Sequence, residues 1–229
     1  MKISGFQKMT LLDFPGKVAC TIFTFGCNLR CPFCHNASLV LGGAEEEHTE
    51  EEILSYLEKR KGLLDGVCIT GGEPLLQPDI KDFIGKVKAL GYAVKLDTNG
   101  CYPEKLKELI NGGLIDYVAM DIKNCLSEYP KTVGIKDFDT APIKESIEFL
   151  VNGNVEFEFR TTVVKELHSA ESIKALADDI SGAKRYFLQN FVDSGDLIGE
   201  NLSAHDKATL EEMKEICEKT IDIVEIRGI

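Results

Sequence analysis

The chain alternates between short apolar runs rich in β-branched residues and longer segments in which apolar residues recur every three or four positions. The short runs are typical of buried strands, and the longer segments are typical of helices with one apolar face. The predicted strands are residues 18–25, 66–70, 92–97, 115–121, 155–164 and 185–189, with a further short strand at 221–226. The predicted helices are residues 49–61, 78–90, 103–110, 142–151, 170–181 and 203–218.

Strand–helix units that follow one another in this way indicate an α/β fold with a parallel sheet and right-handed connections. A closed barrel of this type needs eight units, and the chain has fewer, so we predict an open, partial (βα)6 barrel with mostly parallel strands. A flat, doubly wound sheet is the alternative. Residues 3–12 precede the first unit, and we expect a short N-terminal hairpin there. Because no linker or low-complexity segment interrupts the pattern, residues 1–229 are predicted to form a single domain.

Charge and composition narrow the kind of partner. The net charge of −12 argues against nucleic acid, whose binding normally needs a basic surface. The first residues, MKISGFQKMT, lack the apolar core of a signal peptide, and no apolar run is long enough to cross a bilayer. We therefore expect a cytoplasmic protein that does not bind membranes. Eight cysteines in a reducing compartment indicate metal binding or burial rather than disulfides.

Residues suited to binding or catalysis follow nearly every predicted strand. Parallel α/β folds place their active sites at the carboxyl ends of strands, so the pattern predicts one composite site. The residues at strand ends are Cys27, Cys31, Cys34, Gly71, Gly72, Glu73, Asp97, Asn99, Asp121, Lys123 and Asn190, while Arg160 lies within its strand.

The three cysteines carry the most specific signal. Their spacing is CxxxCxxC, in the segment FGCNLRCPFCHN. Thiolates are the usual ligands of iron–sulfur clusters, and three of them would leave the fourth iron of a cubane open. A zinc site with His35 as the fourth ligand is the alternative. It is disfavoured because Cys34 and His35 are adjacent, and because no second ligand pair follows at the spacing of a zinc finger.

The cysteine segment, with Phe33 as the aromatic residue before the third cysteine, resembles the cluster loop of the radical S-adenosylmethionine (SAM) superfamily. The resemblance implies a [4Fe–4S] cluster on Cys27, Cys31 and Cys34, with the amino and carboxylate groups of SAM on the open iron. It also implies that an electron from the cluster splits SAM into methionine and a 5′-deoxyadenosyl radical. Phe33 is included among the expected cofactor contacts.

The segment GGEPLL is similar to the GGE motif of that superfamily. Paired glycines let backbone groups approach a ligand closely. The resemblance implies that the backbone at Gly71 and Gly72, together with Glu73, receives the ammonium group of SAM.

The strand ends DTNG and DIK resemble those of glycyl-radical-enzyme activating enzymes. The resemblance implies that Asp97 faces the SAM ammonium group, Asp121 the ribose hydroxyls and Lys123 the carboxylate. It also adds Asn99, Arg160 and Asn190 to the expected SAM contacts.

The segment TLLDFPGK, with the cysteine loop and the short predicted barrel, most resembles the family of anaerobic ribonucleoside-triphosphate reductase activating proteins. This implies a protein substrate, a glycyl-radical enzyme, and a low-potential electron donor such as flavodoxin or ferredoxin.

A radical SAM enzyme acting on a small molecule, similar to 7-carboxy-7-deazaguanine synthase, is one alternative. An iron–sulfur or zinc module without chemistry is another. An activase is favoured because the chain is short, its strand ends resemble activases, and no second CxxC motif suggests an auxiliary cluster.

Overall fold

A computed structural model describes residues 1–42 and 47–228 of the chain. Its strands are β1 (Ile3–Thr10), β2 (Ala19–Thr24), β3 (Gly66–Gly71), β4 (Ala93–Thr98), β5 (Tyr117–Asp121), β6 (Glu156–Val163), β7 (Arg185–Asn190) and β8 (Ile223–Arg227). Its helices are α1 (Ala37–Leu41), α2 (Glu50–Lys59), α3 (Ile80–Ala89), α4 (Pro103–Asn111), α5 (Tyr129–Thr132), α6 (Ala141–Val151), α7 (Ala170–Asp179) and α8 (Lys207–Cys217), with a 3₁₀ helix at Pro74–Leu76.

The strands form one sheet whose spatial order follows the chain, from β1 to β8. β1 is antiparallel to β2, whereas β2, β3 and β4 pair in parallel, as do β6, β7 and β8. β1 and β8 stand at the two ends of this order, so the sheet is not closed. The predicted α/β class with a mostly parallel, unclosed sheet is confirmed.

The N-terminal hairpin differs from the one expected. Residues 3–12 do not fold back on themselves; the single strand β1 pairs with β2 from Ile3 opposite Thr24 to Thr10 opposite Ala19. A hairpin with two very short arms is barely stable alone, whereas β2 offers the edge of a buried strand. The longer pairing is therefore favoured.

By its internal contacts the chain forms two compact units. The first comprises Met1–Asn28, Ser38–Thr98 and Glu104–Ala119, and the second comprises Leu29–Ala37, Asn99–Pro103 and Met120–Ile229. The single domain over residues 1–229 stays a prediction. None of the helices in the described ranges is both long enough and apolar enough to span a bilayer.

A row of small residues organises the core of the first unit. Ala19, Gly66 and Ala93 are direct neighbours across β2, β3 and β4. The buried ring of Phe14 packs with Ala19, Ala93 and Tyr117, and a β-carbon built on Gly66 would come within 2.9 Å of its Cε1 atom. The row therefore forms a socket for one aromatic ring from the segment before β2.

Local capping sets where the helices begin. Thr49 and Glu52 form a capping box at the start of α2, where the sequence predicts a helix. The helix predicted at 203–218 begins later, because the side chain of Asp206 caps α8. Ser203 lies outside that helix and donates instead to the Glu166 carboxylate.

Candidate active site

The cysteine segment follows β2. In the first unit Cys27 is half-buried. In the second unit Cys31 is buried and Cys34 is half-buried, and the Cys34 N–H donates to the Cys31 carbonyl at 3.1 Å. Within residues 1–42 and 47–228, no group of three or more His, Cys, Asp or Glu side chains has the arrangement that would hold a metal ion. The assignment of the three cysteines as ligands stays a prediction.

The glycine pair after β3 packs against the backbone just before Cys27. A β-carbon on Gly72 would lie 1.9 Å from the Gly26 carbonyl oxygen, and that oxygen accepts a hydrogen bond from the Glu73 N–H at 2.7 Å. Gly71 has φ +114°, in the region that favours glycine. These two glycines are therefore what allows the end of β3 to approach the start of the cysteine segment.

Glu73 has a local structural role. Its buried Oε1 accepts hydrogen bonds from the Leu75 N–H at 3.0 Å and from the Thr98 hydroxyl at 2.8 Å. The side chain thereby caps the 3₁₀ helix at Pro74–Leu76. The contact to SAM expected of Glu73 stays a prediction.

Asp97 has a partner that the sequence analysis did not select. Lys95 is only 2% exposed, and its Nζ forms an ion pair with Asp97 Oδ1 and lies 3.9 Å from Cys68 Sγ. Both charged residues point to the same face of β4 because they are two positions apart. A lysine inside an otherwise apolar strand was the available signal, since such a charge is costly to bury without a partner.

Three charged residues from two separate segments of the sequence meet in the second unit. Arg160 Nε lies 2.9 Å from Asp121 Oδ1, and Lys123 Nζ lies 3.1 Å from Asp121 Oδ2. The sequence could not decide which face of its strand Arg160 occupies; it is the face toward Asp121. Tyr129 and His168 hydrogen-bond to the Lys123 backbone, and no short motif in the sequence indicates either residue.

The charges of this group are stable at neutral pH. Burial by itself would raise the pKa of Asp121, but Arg160 and Lys123 outweigh it and lower that pKa to about 2. Burial would also lower the pKa of Lys123, but the Asp121 carboxylate outweighs it and holds that pKa above its usual value. Two cations thus pair with one carboxylate, and cationic groups at this position are suited to an anionic ligand.

Three further predicted residues have different surroundings in the second unit. The buried Phe33 ring meets the His168 ring edge-on, with centroids 6.3 Å apart. Asn99 Oδ1 accepts a hydrogen bond from the Cys101 N–H at 3.0 Å. Asn190 Oδ1 is buried and has no hydrogen-bond partner within the described part of the chain. Because an unpaired buried acceptor is costly, it is suited to a donor group on a ligand.

Comparison with known proteins adds independent information. Residues 21–180 match the Radical SAM superfamily. A protein of Methanocaldococcus jannaschii, provisionally named a glycyl-radical enzyme activating enzyme, is 36% identical over 238 aligned positions, covering 99% of this chain and 96% of that protein. A pyruvate formate-lyase-activating enzyme of Clostridium pasteurianum is 31% identical over 192 positions, covering 80% of this chain and 77% of that enzyme.

The fold is also shared with a solved structure. SuiB of Streptococcus suis, bound to S-adenosylmethionine, matches with a TM-score of 0.70 and 18% identity, over 89% of this chain and 48% of SuiB. Radical SAM proteins use a [4Fe–4S] cluster and SAM. The chain therefore belongs to the radical SAM superfamily of enzymes, and within it is homologous to the glycyl-radical enzyme activating enzymes.

Proposed function

We propose that this chain is a radical SAM activase, which reductively cleaves SAM and generates a glycyl radical on a partner enzyme. The observation that carries the proposal is the 36% identity to a protein named for this activity, over 99% of the chain. This similarity extends beyond residues 21–180, which match the superfamily as a whole.

We assign the cluster to Cys27, Cys31 and Cys34. All three are cysteines, and their thiolates are the ligand type that iron–sulfur clusters prefer. Gly72 lies so close to the Gly26 carbonyl that a β-carbon at position 72 would clash with the backbone just before Cys27. The chemistry that the bound cluster supplies is the electron that splits SAM into methionine and a 5′-deoxyadenosyl radical.

We assign the methionine part of SAM to the charged strand ends. The cationic groups of Lys123 and Arg160 have the sign that complements the carboxylate, and the role of Lys123 is to bind it. Asp97, which forms an ion pair with Lys95, is assigned to the ammonium group. Asp121 is also assigned to the ribose hydroxyls. The other assigned contacts are Phe33, Gly71, Gly72, Glu73, Asn99 and Asn190.

The substrate in this proposal is a glycine in a partner protein. A glycyl radical is delocalised over the neighbouring amides, and a residue without a side chain lets its loop reach deep into a site. We propose an anaerobic ribonucleotide reductase as the partner, because the segment TLLDFPGK resembles the activating proteins of that enzyme. A pyruvate formate-lyase is the second partner to test, because relatives are named for it. The electron comes from a low-potential flavodoxin or ferredoxin, and the reaction takes place in the cytoplasm.

The test is to mix the reconstituted, reduced protein with SAM and each candidate partner and to record electron paramagnetic resonance spectra. We expect a doublet from a glycyl radical on the partner, and deuterium in the 5′-deoxyadenosine when the glycine α-carbon is deuterated. Two controls should give no doublet: the partner with its glycine replaced by alanine, and the Cys31→Ser variant of this chain.

Two outcomes would contradict the proposal. One is a fully loaded, reduced protein that releases neither 5′-deoxyadenosine nor methionine. The other is turnover of a small metabolite with no protein radical on any glycyl-radical enzyme from the same source.

A further inference from the structure

The backbone of Lys123 is held on both sides by buried side chains. Its N–H donates to the Tyr129 hydroxyl at 3.1 Å, and its carbonyl oxygen lies 2.8 Å from His168 Nε2. Tyr129 is 0% exposed and His168 is 2% exposed. Backbone groups just beyond a strand need other partners, and these two side chains supply them where β5 ends.

The hydrogen bonds of His168 define which of its nitrogens carries the hydrogen. Nδ1 lies 3.0 Å from the Val164 N–H, which donates, and 3.2 Å from the Val164 carbonyl oxygen, whereas Nε2 faces the Lys123 carbonyl oxygen, which can only accept. Both nitrogens have a suitable partner when Nδ1 is the acceptor. The neutral ring, which burial favours by lowering the pKa of His168, then has its hydrogen on Nε2. His168 therefore donates to the Lys123 carbonyl, while Tyr129 accepts from the Lys123 N–H.

Packing fixes both side chains of this clamp, the pair Tyr129 and His168. The Tyr129 ring stacks on Phe138 with centroids 5.6 Å apart. The His168 ring is met edge-on by Phe33, a residue of the cysteine segment. The clamp thus connects the backbone of Lys123 to the part of that segment within the second unit.

We propose that Tyr129 and His168 are positioning residues that aim the Lys123 ammonium group at the carboxylate of SAM. A lysine side chain is flexible, and holding it in one place requires restraint at both ends. Asp121 holds the far end at 3.1 Å, and the clamp holds the backbone end. This inference rests on the proposed function, since SAM is the ligand that Lys123 meets.

Removing either half of the clamp should weaken SAM binding without loss of iron. Tyr129→Phe and His168→Leu each remove the side-chain partner of a part-buried backbone group of Lys123, and each should raise the Kd for SAM about tenfold. SAM is titrated into the reconstituted, reduced protein while the paramagnetic resonance spectrum of the cluster is followed. His168→Gln keeps a donor near the position of Nε2 and should recover most of the affinity that His168→Leu loses.

The matched control is Tyr92→Phe, which removes a buried hydroxyl that donates to the Leu57 carbonyl at 2.6 Å in the first unit. Its Kd for SAM should equal that of the parent. If the clamp acts through Lys123, then Tyr129→Phe should cause no further loss in a Lys123→Met background. A full tenfold loss in that background would overturn the proposal, because the hydroxyl would then act elsewhere. If His168→Leu does not fold, Tyr129→Phe and His168→Gln decide the question.

Hydrogen exchange tests the clamp without SAM. In the cofactor-free protein, the Lys123 amide should exchange faster in Tyr129→Phe than in the parent, because its acceptor is gone. Unchanged exchange would overturn the clamp itself. A parent protein that has its iron but binds no SAM would instead overturn the proposed function and the ligand named here, and exchange would still decide the clamp.

Discussion

Phe14 lies over Gly66 so closely that a β-carbon on Gly66 would approach the ring atom Cε1 to 2.9 Å. The ring is 2% exposed and occupies the socket formed by Gly66 with Ala19 and Ala93. One aromatic side chain thus fills the space that the small residues leave. Both partners of this contact should therefore be sensitive to changes in volume.

Phe14→Ala should lower the free energy of unfolding by about 3–5 kcal/mol, because it leaves a cavity in the socket. Gly66→Val should lower it by about 1–3 kcal/mol through overpacking. Urea denaturation followed by circular dichroism measures both. Phe14→Leu, which retains most of the volume, should cost clearly less than Phe14→Ala. Equal midpoints for Phe14→Ala and the parent would show that the socket does not contribute to stability.

Gly72→Ala should impair both stability and iron uptake. Its β-carbon would meet the Gly26 carbonyl oxygen at 1.9 Å, so the backbone before Cys27 must move. We expect a loss of about 3 kcal/mol in unfolding free energy. Thermal denaturation and iron content after anaerobic reconstitution are the measurements.

The control for this change is Gly85→Ala in α3, where an added β-carbon meets nothing within 4 Å. Alanine is the better helix former, so this variant should gain up to about 1 kcal/mol. The steric account would be refuted if Gly72→Ala had the same melting temperature as Gly85→Ala and bound the same amount of iron.

Replacing Cys27, Cys31 or Cys34 with serine should abolish cluster binding. The parent should take up about four irons per chain on anaerobic reconstitution, as a cubane requires. Cys101→Ser is the matched control, because Cys101 is also half-buried but lies outside the CxxxCxxC spacing. Its iron content should equal that of the parent. Stoichiometric zinc without iron under these conditions would favour the zinc alternative.

The thiols of Cys20 and Cys217 should resist alkylation in the native protein. Burial raises the pKa of each to about 12, so both are protonated at pH 8.5. At any pH below that pKa, raising the pH by one unit should increase their labelling rates about tenfold, because the thiolate fraction increases by that factor. Iodoacetamide labelling followed by mass spectrometry should find the half-buried Cys27, Cys34 and Cys101 modified first in the cofactor-free protein. In urea all should react alike; native labelling of Cys20 at the rate of Cys34 would be the contrary result.

The sequence alone determined the order of the strands β2 to β8 and of the six longer helices, with most of their boundaries, but it indicated neither α1 nor α5. Hydrophobic periodicity and capping act within a few residues, as the capping box of Thr49 and Glu52 illustrates. The spacing of Cys27, Cys31 and Cys34 is equally local, so the order of residues is enough to name the expected ligands. The boundary of α8 was harder to predict because Ser203 and Asp206 are both good capping residues, and only one caps the helix.

The tertiary structure decided which side chains face each other. Asp121 and Arg160 are 39 residues apart, and their ion pair depends on the face that each presents once the chain is folded. The clamp of Tyr129 and His168 on Lys123 follows from the same cause: His168 is 45 residues from the lysine whose carbonyl it meets, and neither clamp residue belongs to a motif. Strand register and burial set these pairings, and both are properties of the packed sheet, beyond the reach of any short stretch of sequence.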